Sequence, residues 1–226
     1  MAASDRYRRP ADVPRRMPVF PLRGAILLPR ATLPLNIFEP RYLVMLEDVL
    51  AGERVLGIIQ PERTDAAEES PRGKSAPLKR VGCAGRVTAY QELDDGRMLI
   101  TLTGIARFEL LRQLEDDRPY RVCEVGCEAF AADFAPDATA AKVDRQALLK
   151  VVRGFLKSHQ LRADWQSIAE APAEVLINAL AVVSPFGPEE KQALLEAPDL
   201  KTRADVLVAL AQMDIAADGG SGTTLQ

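Results

Sequence analysis

The chain holds 226 residues, 47% apolar and 27% charged, with 29 Lys and Arg against 32 Asp and Glu and a formal net charge of −3. Such values suit an ordinary globular protein and exclude a wholly disordered chain, a coiled coil or a membrane protein, since no run approaches the ~18 apolar residues of a span. The near-neutral balance, with a pI of about 5.4, disfavours nucleic acid as the main partner. Five arginines (Arg6, Arg8, Arg9, Arg15, Arg16) mark the first sixteen residues, broken by Asp5, Asp12, Pro10 and Pro14. No apolar segment follows them as in a secretory signal, so the chain is expected to be cytoplasmic. The three cysteines, Cys83, Cys123 and Cys127, cannot all pair and read as reduced core thiols.

Short apolar runs punctuated by proline predict strands over Met17–Leu22, Ala25–Leu28 and Thr32–Phe38. A helix over Arg41–Ala51 follows, with Tyr42, Leu43, Leu46, Val49 and Leu50 on one face and Gly52 ending it. Further strands are expected at Arg54–Gln60, Arg86–Leu93, Arg97–Leu111 and Tyr120–Phe130, the middle two joined by a turn at Asp94-Asp95-Gly96. Arg97–Leu111 is long for one strand and is expected to bend at Gly104. Between two of these strands, Pro61–Leu78 is rich in proline and charge and reads as a mobile loop.

Beyond residue 137 the apolar spacing becomes helical. Val143, Ala147, Leu148, Val151, Val152, Phe155 and Leu156 form one stripe, and Glu174–Val183 is apolar nearly all round, as in a central helix. Pro185 and Gly187 stop that helix, Pro188 with Glu189 and Glu190 starts the next, and Leu200–Ile215 closes the bundle through Val206, Leu207, Leu210 and Met213. The expected organisation is an α+β chain. Residues 1–15 are a flexible tail, 16–130 a β-barrel or folded sheet, 137–216 an all-helical bundle and 217–226 a second tail.

The common catalytic patterns are missing. Gly73-Lys74-Ser75 resembles the end of a phosphate-binding loop, but Glu68 stands where that loop needs glycine and Pro77 prevents the following helix. Cys123 and Cys127 have no metal-finger spacing, and His159 is the single imidazole. No Gly-x-Ser-x-Gly elbow occurs. The chain therefore reads as a non-catalytic protein with no cofactor and no metal.

The strand segments also carry a family likeness. Met17-Pro18-Val19-Phe20-Pro21-Leu22-Arg23, Leu28-Pro29 and Leu33-Pro34-Leu35 resemble the opening of the amino-terminal domain of Lon protease. Ile37-Phe38-Glu39-Pro40-Arg41-Tyr42 is similar to the version in free-standing members of that family. Val81-Gly82-Cys83-Ala84 and Leu102-Thr103-Gly104-Ile105-Ala106-Arg107-Phe108 resemble its inner strands; Leu180–Pro185 and Lys191–Glu196 resemble its helical part. The likeness implies a PUA-like β-domain followed by helices, and a role in binding protein substrates. It carries over neither the ATPase nor the Ser-Lys peptidase activity of the full protease. The matched motifs look structural, with Glu39 and Arg41 bracing the first helix.

The expected function is that of a polypeptide-binding module, an adaptor or holder of unfolded protein clients that could serve a protease. Loop aromatics outside the core stripes are the candidate contacts: Phe134 in the crossover, Trp165 in an inter-helix loop and Phe186 beside Pro185. The alternatives are an RNA-binding PUA-like protein or a scaffold for one dedicated folded partner. RNA binding would need a basic surface with stacking aromatics, and only the amino-terminal arginines cluster.

Overall fold

A computed structural model of the chain describes residues 6–62, 76–115, 117–135, 138–158 and 165–220. The interior of the charged Pro61–Leu78 stretch, with Gly73-Lys74-Ser75, lies outside the described residues, as do His159 and the two chain ends. The chain divides into two compact units, Met1–Pro136 and Asp137–Gln226.

The first unit contains β1 (Arg16–Pro21), β2 (Thr32–Ile37), α1 (Pro40–Ala51), β3 (Val55–Pro61), β4 (Leu78–Glu92), β5 (Met98–Gln113) and β6 (Arg121–Gly126). The sheet order is β2-β5-β4-β3-β1-β6, and β6 pairs again with β5, so five strands close into a barrel with β2 attached at its flank. β1 and β3 run parallel, joined through β2 and α1, while every other pairing is antiparallel. Closure depends on the length of β5. Its first half, Met98–Thr103, carries β2, and its second half, Glu109–Gln113, carries β6.

The two halves of β5 are hinged where glycine was expected to bend it. Ala106 faces Ala84 and Gly104 faces Gly85, leaving Ile105 as the extra residue of a bulge. The Arg30 N–H donates to the Gly104 carbonyl and the Gly104 N–H to the Ala31 carbonyl, both at 2.9 Å. This brings the Leu28 carbonyl so close that a side chain at Gly104 would collide with it. Phe108 is fully buried over two further glycines; a Cβ on Gly57 would lie 2.9 Å from its ring and one on Gly82 2.5 Å. The glycines in these segments are therefore packing devices.

α1 begins at Pro40, a residue suited to a first turn because its missing N–H would have no helical partner. The Arg41 guanidinium donates to Glu39 Oε2 at 2.8 Å, bracing that start, and Tyr42, Met45, Leu46 and Val49 are buried. A short 3-10 stretch, Glu128–Phe134, follows β6 and is fastened to the barrel by Asp133. Arg107 donates its backbone N–H and Nε to Asp133 Oδ2, both at 2.9 Å, and Nη2 to Oδ1 at 2.7 Å.

The second unit holds α2 (Arg145–Ser158), α3 (Trp165–Glu170), α4 (Ala173–Val183), α5 (Pro188–Glu196) and α6 (Leu200–Gly220). Its core comprises Leu148, Val152, Ile177, Ala181, Leu194, Leu195, Leu200, Leu207 and their neighbours. Arg203 is buried within it, donating to the Leu194 carbonyl at 2.9 Å and to Asn178 Oδ1 at 3.3 Å. No helix among the described residues is long and apolar enough to cross a membrane.

The α+β expectation, a β-barrel followed by helices, matches this architecture, with local corrections. Ala25–Leu28 is no strand: Ile26, Leu27 and Leu28 are buried as a loop folded onto the barrel, so burial alone produced the strand-like run. β4 starts at Leu78, eight residues before the expected Arg86, because small residues (Gly82, Ala84, Gly85) interrupt its alternation. β6 stops at Gly126, and Glu128–Phe134 turns as a 3-10 helix. Trp165 opens helix α3 and is not in a loop. Met213 is exposed despite its place in the apolar spacing, and α4 leaves Val175 and Val183 exposed, so it is not enclosed all round.

Candidate functional site

The outer half of β4 continues past β3. The last β3–β4 register pair is Val55 with Arg86, after which the Val87 N–H still reaches the Arg54 carbonyl at 2.8 Å. Arg54 has φ of +60°, which turns the chain off the ladder. From there, among the described residues, Thr88–Glu92 pairs only with β5, and β2 lies on the other side of β5. The result is a three-stranded flank projecting from the barrel.

Across this flank the register sets Pro34, Thr101 and Ala89 in one row, Leu35, Ile100 and Tyr90 in the next, and Asn36, Leu99 and Gln91 in the third. Together they line a shallow hollow of about 520 Å3. None of the nine carries a charge, in a chain where 27% of residues do. Tyr90 is 53% exposed and Leu99 41%, and Phe38, immediately beyond β2, is 62% exposed. The amides of Asn36 and Gln91 flank Leu99, so the surface offers apolar contact beside groups that can donate and accept hydrogen bonds.

Two smaller hollows differ in character. One of about 140 Å3 in the first unit is lined by charged groups, including Arg16, Asp48, Glu53 and Arg118. There the Tyr120 hydroxyl donates to Asp48, and burial together with that bond pushes the phenol above its usual range. The other, of about 340 Å3 in the second unit, includes Asp144, Asp205 and Gln212. Among the described residues no group of three or more His, Cys, Asp or Glu could hold a metal ion. All three cysteines are buried free thiols. Burial pushes Cys123 up to about 11 and Cys127 up to about 12, so neither supplies a thiolate near neutral pH.

The three aromatics singled out from the sequence occupy separate elements. Phe134 ends the 3-10 stretch, half-buried against the core cluster of Tyr7, Val13, Met17 and Val19. Trp165 is half-buried, with the Arg153 guanidinium 4.2 Å from its ring centroid. Phe186 is half-buried in the turn before α5. The sequence reasoning missed Tyr90, Leu99 and Phe38, which looked like ordinary strand positions. The signal that could have found Tyr90 is the run Thr88–Glu92, where apolar alternation lapses on β4.

Comparison with known proteins bears on the family and the fold. Lon protease of Anaeromyxobacter dehalogenans is 27% identical over 205 residues, which cover 88% of this chain and 23% of that protein. Lon protease 2 of Sorangium cellulosum is 29% identical over 202 residues, covering 86% and 24%. The chain thus spans about a quarter of the length of the curated relatives it matches. Among solved structures, a Lon N-terminal domain protein from Xanthomonas campestris shares the fold with a TM-score of 0.59 and 24% identity, over 86% of this chain and 97% of that one. The N-terminal domain of a Mycobacterium avium complex Lon protease gives 0.57 and 17%, over 87% and 98%. The family model described as the ATP-dependent protease La (LON) substrate-binding domain matches residues 16–212, and the chain belongs to that family.

Proposed function

We propose that this chain binds segments of non-native polypeptide and holds them without cleaving them, with the β2–β5–β4 flank as its principal contact. One observation carries the reading: a hollow lined by nine uncharged residues, with Leu99 exposed between Asn36 and Gln91 on one face of the flank and Tyr90 exposed on the alternate row, on a member of a substrate-binding family. Such a surface gains from apolar burial and tolerates many sequences, and it lacks the cations that phosphate recognition requires. Trp165 and Phe186 are proposed as secondary contacts on the helical unit. Phe134, half-buried against the barrel core, is proposed as a further contact through its exposed part.

The test is fluorescence anisotropy of labelled, reduced and alkylated serum albumin titrated with the chain. A micromolar Kd is expected, about −8 kcal/mol. Leu99→Asp and Tyr90→Ala should each weaken binding about fivefold or more, about 1 kcal/mol, without lowering Tm, since both side chains are already exposed. Trp165→Ala and Phe186→Ala distinguish contact from packing: a contact loses affinity, whereas a seam residue loses thermal stability alone. A chain that ignores unfolded albumin yet captures one folded partner tightly would replace the holder reading with that of a dedicated adaptor.

A further inference from the structure

Resting on the polypeptide-binding reading, we propose how the client is held: an extended client segment adds as a strand to the outer edge of β4 at Tyr90–Glu92. The hydrogen-bond alternation of the ladder supports this. The Leu93 N–H donates to the Arg97 carbonyl at 2.8 Å, so Leu93 faces β5, and two-residue alternation turns Gln91 and Ala89 the same way. Tyr90 and Glu92 therefore direct their N–H and C=O groups away from β5, to the side that β3 has vacated. The free edge continues the line of β3, whose chain Arg54 diverts with its left-handed backbone. An added strand would extend β3's own pairing.

The opposite edge of the flank is protected. Pro34 sits in the middle of β2, within an unbroken register to β5, so its ring nitrogen must face outward and removes a donor from that edge. No proline or lysine protects Thr88–Glu92. The residues beside it select the occupant. Tyr90 offers an apolar contact, and Glu92 and Asp94 are exposed acids, whereas Asp95 is neutralised by Arg97 at 2.7 Å. The fitting segment is extended, apolar at alternate residues and basic at one flank.

The experiment uses the full chain and a labelled ten-residue peptide alternating Val and Thr, with two lysines at one end. Twin peptides carry backbone N-methyl groups on alternate residues along one edge or the other. The expected result is a loss of tenfold or more with one twin and little change with the other, because a strand pairs through one edge. Glu92→Pro, which removes an outward donor but no ladder bond, should reduce binding of the plain peptide tenfold or more while leaving Tm within about 2 °C. Replacing the two lysines by glutamates should weaken binding, and that difference should shrink between 50 and 500 mM salt. Equal affinity for the plain peptide and both twins overturns strand addition. If the peptide fails while alkylated albumin binds, strand addition falls and the holder reading stands; if both fail, both fall. Self-association that Glu92→Pro abolishes, without peptide binding, would assign the edge to a second copy of the chain and overturn the proposal.

Discussion

Removing the Asp133 carboxylate should unfold much of the first unit's stability reserve. The Arg107 and Asp133 side chains are only 4% and 8% exposed. In Asp133→Ala the Arg107 guanidinium loses two hydrogen bonds and its countercharge, and the Arg107 backbone N–H loses its acceptor. The Phe130 ring, 4.6 Å from the guanidinium carbon, remains as a weak compensation. Breaking a buried pair from one side costs about 3–5 kcal/mol. With a urea slope of about 1.5 kcal/mol per molar, the midpoint should fall by about 2–3 M. The assay can be made specific to the unit, because all four tyrosines (Tyr7, Tyr42, Tyr90, Tyr120) lie in it and the single tryptophan, Trp165, lies in the other. Near-ultraviolet tyrosine dichroism then follows the β unit. The double variant Arg107→Met with Asp133→Leu, which leaves no buried charge, should recover a large part of the loss. A tyrosine-reported midpoint for Asp133→Ala within 0.5 M of the parent would refute the reasoning.

Other outcomes follow from the same geometry. Gly104→Val should cost about 3 kcal/mol or more in urea unfolding, because the clash is with the Leu28 backbone and not a movable side chain. Cys123 keeps its proton up to about 11 in the fold, against an ordinary thiol value of 9.0. The folded state thus binds more protons than the unfolded one across that interval, and stability of the β unit should fall as pH rises through it; Cys123→Ala should flatten the fall. Lys191 runs the other way: burial lowers its pKa, so the folded helical unit binds fewer protons and its stability should rise toward pH 10.5. Lys191→Met should remove that slope in guanidinium unfolding followed by Trp165 fluorescence.

The barrel strands were legible where alternation or apolar runs met proline and glycine, as at Met17–Leu22 and Thr32–Phe38. The hinge of β5 was legible because a strand glycine has few other uses. Ala25–Leu28 was misread because a loop buried on a barrel and a buried strand have the same composition. The strands of the flank and the turn at Asp94-Asp95-Gly96 were legible, but the flank's exposure was not. Whether Tyr90 and Leu99 meet water depends on where β3 begins, and that is decided by the backbone turn at Arg54, thirty-six residues before Tyr90 in sequence. Trp165, Phe134 and Phe186 were singled out by residue type, whereas exposure is a property of neighbours.

The pairing of β1 with β6 bears on how the chain emerges from a ribosome. Arg16 registers with Glu124 and Met17 with Cys123, partners more than a hundred residues apart. The first strand made must therefore wait for almost the last of its unit before the barrel can close, a long-range pairing of the slow kind. Until then β1 and β3 can already lie side by side, but the far edge of β1, with the apolar Met17 and Val19, has no partner. A module proposed to shelter the incomplete chains of others is, during its own synthesis, an incomplete chain with an open strand edge. Its nascent form should be the first client within reach of its finished copies.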